Sequence, residues 1–318
     1  MVRYLIRRIA ISIVLLIAVS MLIFVVLRAL PGSPVTARLG TSQGVTQEMI
    51  NRLTKSAGLD RPLASQYLTW ISGILHGNLG TSYFTGQPVS SLIGAAIGPT
   101  LELTIISVAL SVVIAVPAAI ASARRPGGWL DGIITAVSSA GMAFPPFVAG
   151  IVLIIIFSVQ VHLLPARGYV PFLTNPVQNL RDMILPAISL AVGAAPLVLR
   201  YLRNELVTSL DSNYTRTAAG KGASEARVLL RHALPNATLP SLTMIGLITG
   251  YTLGGSVIVE YAFGFSGLGA LSIQSAFNRD YAILQSVVLL ISTLFILVSL
   301  AVDLMSWRLD PRTRGRHG

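Results

Sequence analysis

The stretch NYTRTAAGKGASEARVLLRHALPNATLP, residues 213–240, is a basic and partly polar passage caught between two long apolar segments. Within it Ala226, Leu229, Leu230, Ala233 and Leu234 recur at helical spacing, with Glu225, Arg227 and Arg231 on the remaining faces. That pattern predicts a short amphipathic helix from Ser224 to Leu234. Glu225 falls in its first turn, Arg231 in its last, and Pro235 is expected to end it. Gly220 and Gly222 flank Lys221 and allow a sharp turn before it. With a first helix over about Tyr214–Ala219, the whole reads as a helix-turn-helix elbow. Such an elbow can fill a groove on a soluble partner. It can equally rest on lipid headgroups with its arginines facing phosphates, and periodicity leaves both open.

Composition fixes the solvent of the rest. The 318 residues are 53% hydrophobic and only 11% charged, against about a quarter charged in a soluble domain. The fold class expected is therefore an all-α integral membrane protein. A formal net charge of +11 could suggest nucleic acid, but the basic residues follow membrane topology rather than gathering on one soluble face. With no cysteine in the chain, a disulfide framework, thiolate metal ligation and cysteine catalysis are excluded.

MVRYLIRR precedes an apolar run from Ile9 to about Leu30, long enough to span a bilayer and read as a retained first span. Residues 31–97 change character: they are rich in Gly, Ser and Thr and carry Arg38, Glu48, Arg52, Lys55, Asp60 and Arg61. Two short helices are expected there, in QEMINRLTKSAG and in PLASQYLTWISGIL, forming a small extracytoplasmic layer. Further spans are expected at about 98–122, 132–157, 184–203, 239–260 and 284–307, six in all. Fifteen of the 23 Lys and Arg fall on one side: Arg3, Arg7, Arg8, Arg124, Arg125, Arg200, Arg203, Arg216, Lys221, Arg227, Arg231, Arg308, Arg312, Arg314 and Arg316. The positive-inside rule makes that side, and both termini, cytoplasmic. Pro117, Pro145, Pro146, Pro186, Pro196, Gly246, Gly250, Gly254 and Gly255 lie inside the spans, where they serve close packing or a pathway that opens and closes. Glu102, Glu260 and Asp303 sit near span ends, where a structural or snorkelling role is expected.

Signatures of catalysis are missing. Gly220-Lys221-Gly222 superficially suggests a phosphate loop, yet position 215 is Thr and Gly222 stands where Ser or Thr should hold magnesium. His76, His162, His232 and His317 are isolated and lack ligand spacing, so no metal site or catalytic residue is expected.

Residues 216–235 resemble the cytoplasmic loop of binding-protein-dependent ABC importer permeases. The family pattern is Glu-Ala-Ala, three residues, Gly, nine residues, then Ile-x-Leu-Pro. Arg216-Thr217-Ala218 takes the first triplet, Gly222 the glycine, and His232-Ala233-Leu234-Pro235 the end, without a gap. Arg216 for Glu and His232 for Ile are departures, and both match the peptide-transport branch. LRALPGSPV at 27–35, GLDRPLASQYLTW at 58–70, GNLGTS at 77–82, PTLELT at 99–104, GGSVIVEYAFGFSGLG at 254–269, RDY at 279–281 and LDPR at 309–312 are similar, in order and spacing, to the B-type permease of dipeptide, oligopeptide and nickel importers.

The resemblance implies a type I ABC importer permease in a bacterial inner membrane. It comprises an N-terminus and first span at 1–30, an extracytoplasmic segment at 31–97, a five-helix core at 98–307 with a coupling loop at 204–238, and a basic tail at 308–318. Implied partners are a second, homologous permease in a heterodimer, two cytoplasmic ABC ATPases that use ATP and magnesium, and an extracytoplasmic substrate-binding protein. The chain itself takes no cofactor and hydrolyses nothing. Arg216, Thr217, Ala218, Lys221, Gly222, Arg227, Arg231, His232, Ala233, Leu234 and Pro235 form the implied ATPase-coupling loop. Gly222→Asp is accordingly expected to uncouple hydrolysis from uptake. The implied cargo is a short peptide; nickel or another small solute in the same family is the alternative. A stand-alone secondary transporter would carry inverted repeats and midplane ionisable groups, which are not evident.

Overall fold

The computed structural model describes residues 2–29, 46–56 and 58–309, which are almost entirely helical, with no β-strand among them. Arg38, the C-terminal arginines from Arg312 on, His317 and most of the segments quoted at 27–35 and 309–312 lie outside the described residues. The helices in chain order are α1 (Val2–Ala29), α2 (Gln47–Ser56), α3 (Leu63–Leu75), α4 (Val89–Ala123), α5 (Trp129–Ala143) and α6 (Pro146–Leu153), which widens into a π-helix over Ile154–Gln160. They continue with α7 (Pro176–Leu210), α8 (Asn213–Gly220), α9 (Glu225–Arg227), α10 (Leu234–Phe263), α11 (Leu268–Phe277) and α12 (Tyr281–Leu309). Among the described residues α1, α4, α7, α10 and α12 each contain an apolar stretch able to cross a membrane, and α5 with α6 form a bent apolar pair that makes up to six if it counts as one span.

The segment expected as a span at 132–157, with Pro145 and Pro146 inside it, is broken there: its halves are bent by 98°. Hydropathy cannot see the cause, which is a loss of hydrogen-bond donors. Pro145 and Pro146 lack amide N–H groups, and a residue before proline is driven out of the helical region. Phe144 accordingly turns extended (φ −88°, ψ 119°) and α6 restarts with Pro146 in its first turn.

The chain forms two compact units, one from Leu101–Phe265 with Phe295–Gly318, the other from Val2–Thr100 with Ser266–Leu294. In the second, Val89, Ile93 and Ala96 of α4, Leu268 of α11 and Ala282, Ile283 and Val287 of α12 make an apolar core. Asp280 is buried beside it and accepts hydrogen bonds from Ser82 Oγ (2.5 Å) and the backbone N–H groups of Tyr83 and Phe84 (3.2 Å each). A buried carboxylate needs such donors to offset its desolvation, and these fix the turn that leads into α4. The two helices expected between 46 and 75 are present as α2 and α3. α3 is joined to α1 by Arg28 Nε donating to Gln66 Oε1 (3.0 Å) and by the Phe24, Tyr67 and Trp70 rings. Asp280→Ala leaves three donors without their acceptor and is expected to cost about 1–3 kcal/mol, read as a lower thermal midpoint in detergent.

The other unit is built around α7, buried along most of its length. Asn175 caps it by accepting from Gln178 N (3.1 Å), and Pro176 occupies its first turn. Small residues let neighbours approach. A Cβ on Gly141 would lie 3.0 Å from the Val192 carbonyl oxygen, and one on Gly150 would lie 2.9 Å from both Phe263 Cε2 and Ser189 Oγ. Hydroxyls inside the spans close on their own helices: Ser107 on Leu103 O (2.6 Å), Ser111 on Ser107 O (2.7 Å) and Ser241 on Ala237 O (2.8 Å), as an apolar solvent demands. Glu102 accepts from Tyr169 Oη (2.7 Å); burial first, then this carboxylate, pushes the tyrosine up to about 12, so it remains a donor at neutral pH. Glu260 is fully buried rather than reaching an interface. Gly150→Ala forces Cβ against buried Phe263, and a loss of about 1–3 kcal/mol is expected as a lower thermal midpoint of the purified chain.

Candidate functional site

The sequence places Ser209, Ser212 and Thr215 three residues apart, where α7 ends and α8 begins. Their hydroxyls tie the turn. Ser212 Oγ donates to Ser209 O (2.5 Å), and Thr215 Oγ1, buried, lies 3.1, 2.9 and 2.7 Å from the carbonyl oxygens of Ser209, Leu210 and Ser212. Ser209 Oγ also bonds Tyr214 Oη and donates to Ala233 O (3.2 Å). The start of the elbow is thereby pinned to its end. Periodicity of apolar residues missed these polar anchors, although Ser/Thr at i, i+3 is a local capping pattern that signals them.

α8 ends through N–H groups of Lys221, Gly222 and Ala223 donating to Thr217 O (3.1 Å), Ala219 O (2.9 Å) and Ala218 O (3.2 Å). Gly222 alone turns left-handed, at φ +82°; Gly220 lies within the helix. This is a helix C-terminus of the kind that glycine permits at little cost. The second helix begins at Glu225 as expected but does not stop at Pro235. α9 widens into a π-helix over Val228–Ala233 that runs directly into α10, with Pro235 in the first turn of α10. A proline withholds one N–H from the preceding turn, and the wider π register absorbs that misfit. It also rotates the apolar stripe. Val228, Leu229 and Ala233 are buried, whereas Ala226 and Leu230, expected on the same face, are exposed.

Leu229 and Ala233 join a core with Ala115, Ala119 and Ala123 of α4, Val198, Leu199, Leu202 and Leu206 of α7 and Ala237 and Ile248 of α10. The opposite side is open and basic. Arg216, Thr217, Lys221, Gly222, Arg227, Arg231 and Pro235 are exposed, Ala218, His232 and Leu234 are half-buried, and Ala233 is wholly inside. Arg216 pairs with Asp211 at 2.6 Å, but both side chains are largely in solvent, where such a pair contributes little. The eleven residues therefore do not converge on a cavity: ten contribute to an exposed or half-exposed face and Ala233 to its anchor. No group of three or more His, Asp or Glu able to hold a metal occurs among the described residues. What the arrangement offers is an elbow rooted in the core on one side and open and basic on the other.

Comparisons with known proteins place the chain in a family. Residues 115–315 match the family described as binding-protein-dependent transport system inner membrane component, and residues 1–104 match the N-terminal model of such membrane components. A probable peptide ABC transporter permease protein, y4tP, of Sinorhizobium fredii is 37% identical over 98% of this chain and 99% of its own. The glutathione transport system permease protein GsiC of Pectobacterium atrosepticum is 37% identical, covering 99% of each chain. The oligopeptide transport system permease protein AppB of Bacillus subtilis is 36% identical over 98% of this chain and 99% of its own. Among solved structures, the inward-facing methionine transporter MetNI shares the fold at a TM-score of 0.57 and 20% identity, covering 69% of this chain and 96% of that one. The chain belongs to the binding-protein-dependent transport system inner membrane components, the permease subunits of ABC importers whose ATPase activity resides in separate chains.

Proposed function

We propose that this chain forms half of the translocation pathway of an importer for short peptides and that its elbow at 209–235 docks on a cytoplasmic ATPase. The observation that carries the docking reading is the two-sidedness of the elbow. Its inner side is sewn into the core by Leu229, Ala233 and the Ser209 contacts, while its outer side presents Arg216, Lys221, Arg227 and Arg231 to solvent. A segment that merely lay on lipid would have no need of such rooting. A lever does, because force is transmitted only through contacts that differ between two states.

The partner set follows from this reading. A second, different permease completes the pathway, two ATPases bind ATP and magnesium, and an extracytoplasmic binding protein delivers the cargo. The arginine distribution supports cytoplasmic termini and an outward-facing segment between α1 and α4. The cargo class is carried by relatives of full-length similarity named for peptide, oligopeptide and glutathione transport. Glutathione is itself a short peptide, so the three names share one chemistry.

Purification of the tagged chain in mild detergent is expected to bring down a second permease and two P-loop ATPases. In proteoliposomes, peptide-loaded binding protein is expected to stimulate hydrolysis and drive uptake. Stimulation by nickel-loaded binding protein, with none by peptide, would replace the cargo assignment; elution of the chain alone, with no ATPase activity, would remove the docking assignment. Gly222→Val places a β-branched side chain at φ +82°, a strain of about 1–3 kcal/mol. Uptake per ATP is expected to fall while the membrane helices keep their helical circular dichroism, and unchanged uptake would contradict the role of the elbow.

A further inference from the structure

The turn between α4 and α5 is fastened to α7 by a single buried carboxylate. Asp131, in the first turn of α5, has its side chain 6% exposed. Its Oδ2 accepts from Arg203 Nη2 (2.5 Å) and from the Gly127 N–H (2.8 Å). Its Oδ1 accepts from Arg203 Nε (2.7 Å) and from Ser122 Oγ at the end of α4, and Ser122 lies within 3.0 Å of Arg203 Nε as well. Four donors from three elements thus meet one side chain. The guanidinium fork makes the pair bidentate and directional, which a lysine could not do.

Its location is what gives the pair a further meaning. Arg203 lies on the last two turns of α7, upstream of Ser209, where the elbow is pinned. Ser122 neighbours Ala119 and Ala123, which pack in one core with Leu229 and Ala233 of the elbow. The α4–α5 turn is therefore held twice: by apolar contact with the elbow and by this ion pair to the last turns of α7, which lead directly into the elbow. Apolar contact alone resists separation but allows sliding. A bidentate pair with a buried carboxylate also resists rotation, because turning α5 about its axis would leave the Asp131 charge unpaired away from water.

Resting on the docking role proposed for the elbow, we propose that Arg203 and Asp131 are positioning residues for transport: they lock the α4–α5 turn to the elbow, so that α4 and α5 move with the ATPase. The pair touches no cargo and no nucleotide; its action is through the helices it holds.

The test uses the full complex reconstituted with its ATPases and binding protein. Asp131→Asn keeps the shape and an acceptor but removes the charge, and Arg203→Met removes the fork. For both, ATPase chains are expected to co-purify and hydrolysis to persist, while uptake per ATP falls between roughly tenfold and a hundredfold. The double variant is expected to be no worse than the worse single one, as for residues acting as a unit. Uptake per ATP unchanged in both single variants, or losses that multiply in the double, would overturn the proposal.

A second measurement does not depend on the variants folding. Since the chain has no cysteine, spin labels go on this chain only at exposed positions 125 and 226 as Arg125→Cys and Ala226→Cys, with the ion pair intact, in a complex whose partner chains carry no reactive cysteine. The label-to-label distance is expected to stay constant between nucleotide-free and ATP-trapped complexes. A change of about 5 Å, one helical turn, would overturn the proposal even though the elbow still docked. If the wild-type chain binds no ATPase at all, the docking reading falls, and this inference with it.

Discussion

Everything proposed for this chain depends on how a short polar segment is rooted in an apolar bundle. Leu229 and Ala233 sit among Ala115, Ala119 and Ala123 of α4 and Val198, Leu199, Leu202 and Leu206 of α7. Alanine on α4 matters here, because its short side chain lets a neighbouring helix approach closely, and close approach supplies the dispersion contacts that lipid does not penalise breaking. Ser209, buried and bonded to Ala233 O, closes the same joint with a polar contact. The open face of the elbow can therefore be pushed without the elbow detaching from its helices.

Inside the spans the same economy of polar groups recurs. Serine and threonine hydroxyls return to carbonyls of their own helices, Asp280 gathers the donors of a turn, and Asp131 gathers those of three elements. The prolines break this pattern and bend the backbone where they do so. The 98° bend between α5 and α6 comes from Pro145 and Pro146, and the π-helix before Pro235 accommodates a third. A permease needs elements with two arrangements, and such interrupted helices are where φ and ψ can change.

The architecture was readable in the residues because the membrane imposes a single strong rule: apolar runs of sufficient length become helices. That rule located α1, α4, α7, α10 and α12, and the cluster of Arg216, Lys221, Arg227 and Arg231 marked the elbow. It could not place the bend at Phe144, since hydropathy counts side chains and the cause is a missing backbone N–H. It also put Leu230 on one face with Leu229 and Ala233, because a 3.6-residue period was applied to a segment that winds as a π-helix over Val228–Ala233. The Arg203–Asp131 pair was hidden for another reason. Its partners are 72 residues apart in sequence, and Arg203 read simply as one more cytoplasmic charge.

The most direct test of the central claim, that the elbow between α7 and α10 is the contact through which an ATPase acts, is cross-linking from one introduced cysteine. The absence of native cysteine makes a photoreactive maleimide at exposed Ala226, as Ala226→Cys, the one labelled site within this chain, cross-links being read on the affinity-tagged chain. The same reagent at exposed Leu173, as Leu173→Cys in the segment between α6 and α7, serves as the control. Irradiation of native membranes is expected to join the ATPase chain to position 226 and not to position 173. Cross-links from position 226 to lipid alone, in membranes where the ATPase co-purifies with the chain, would contradict the account.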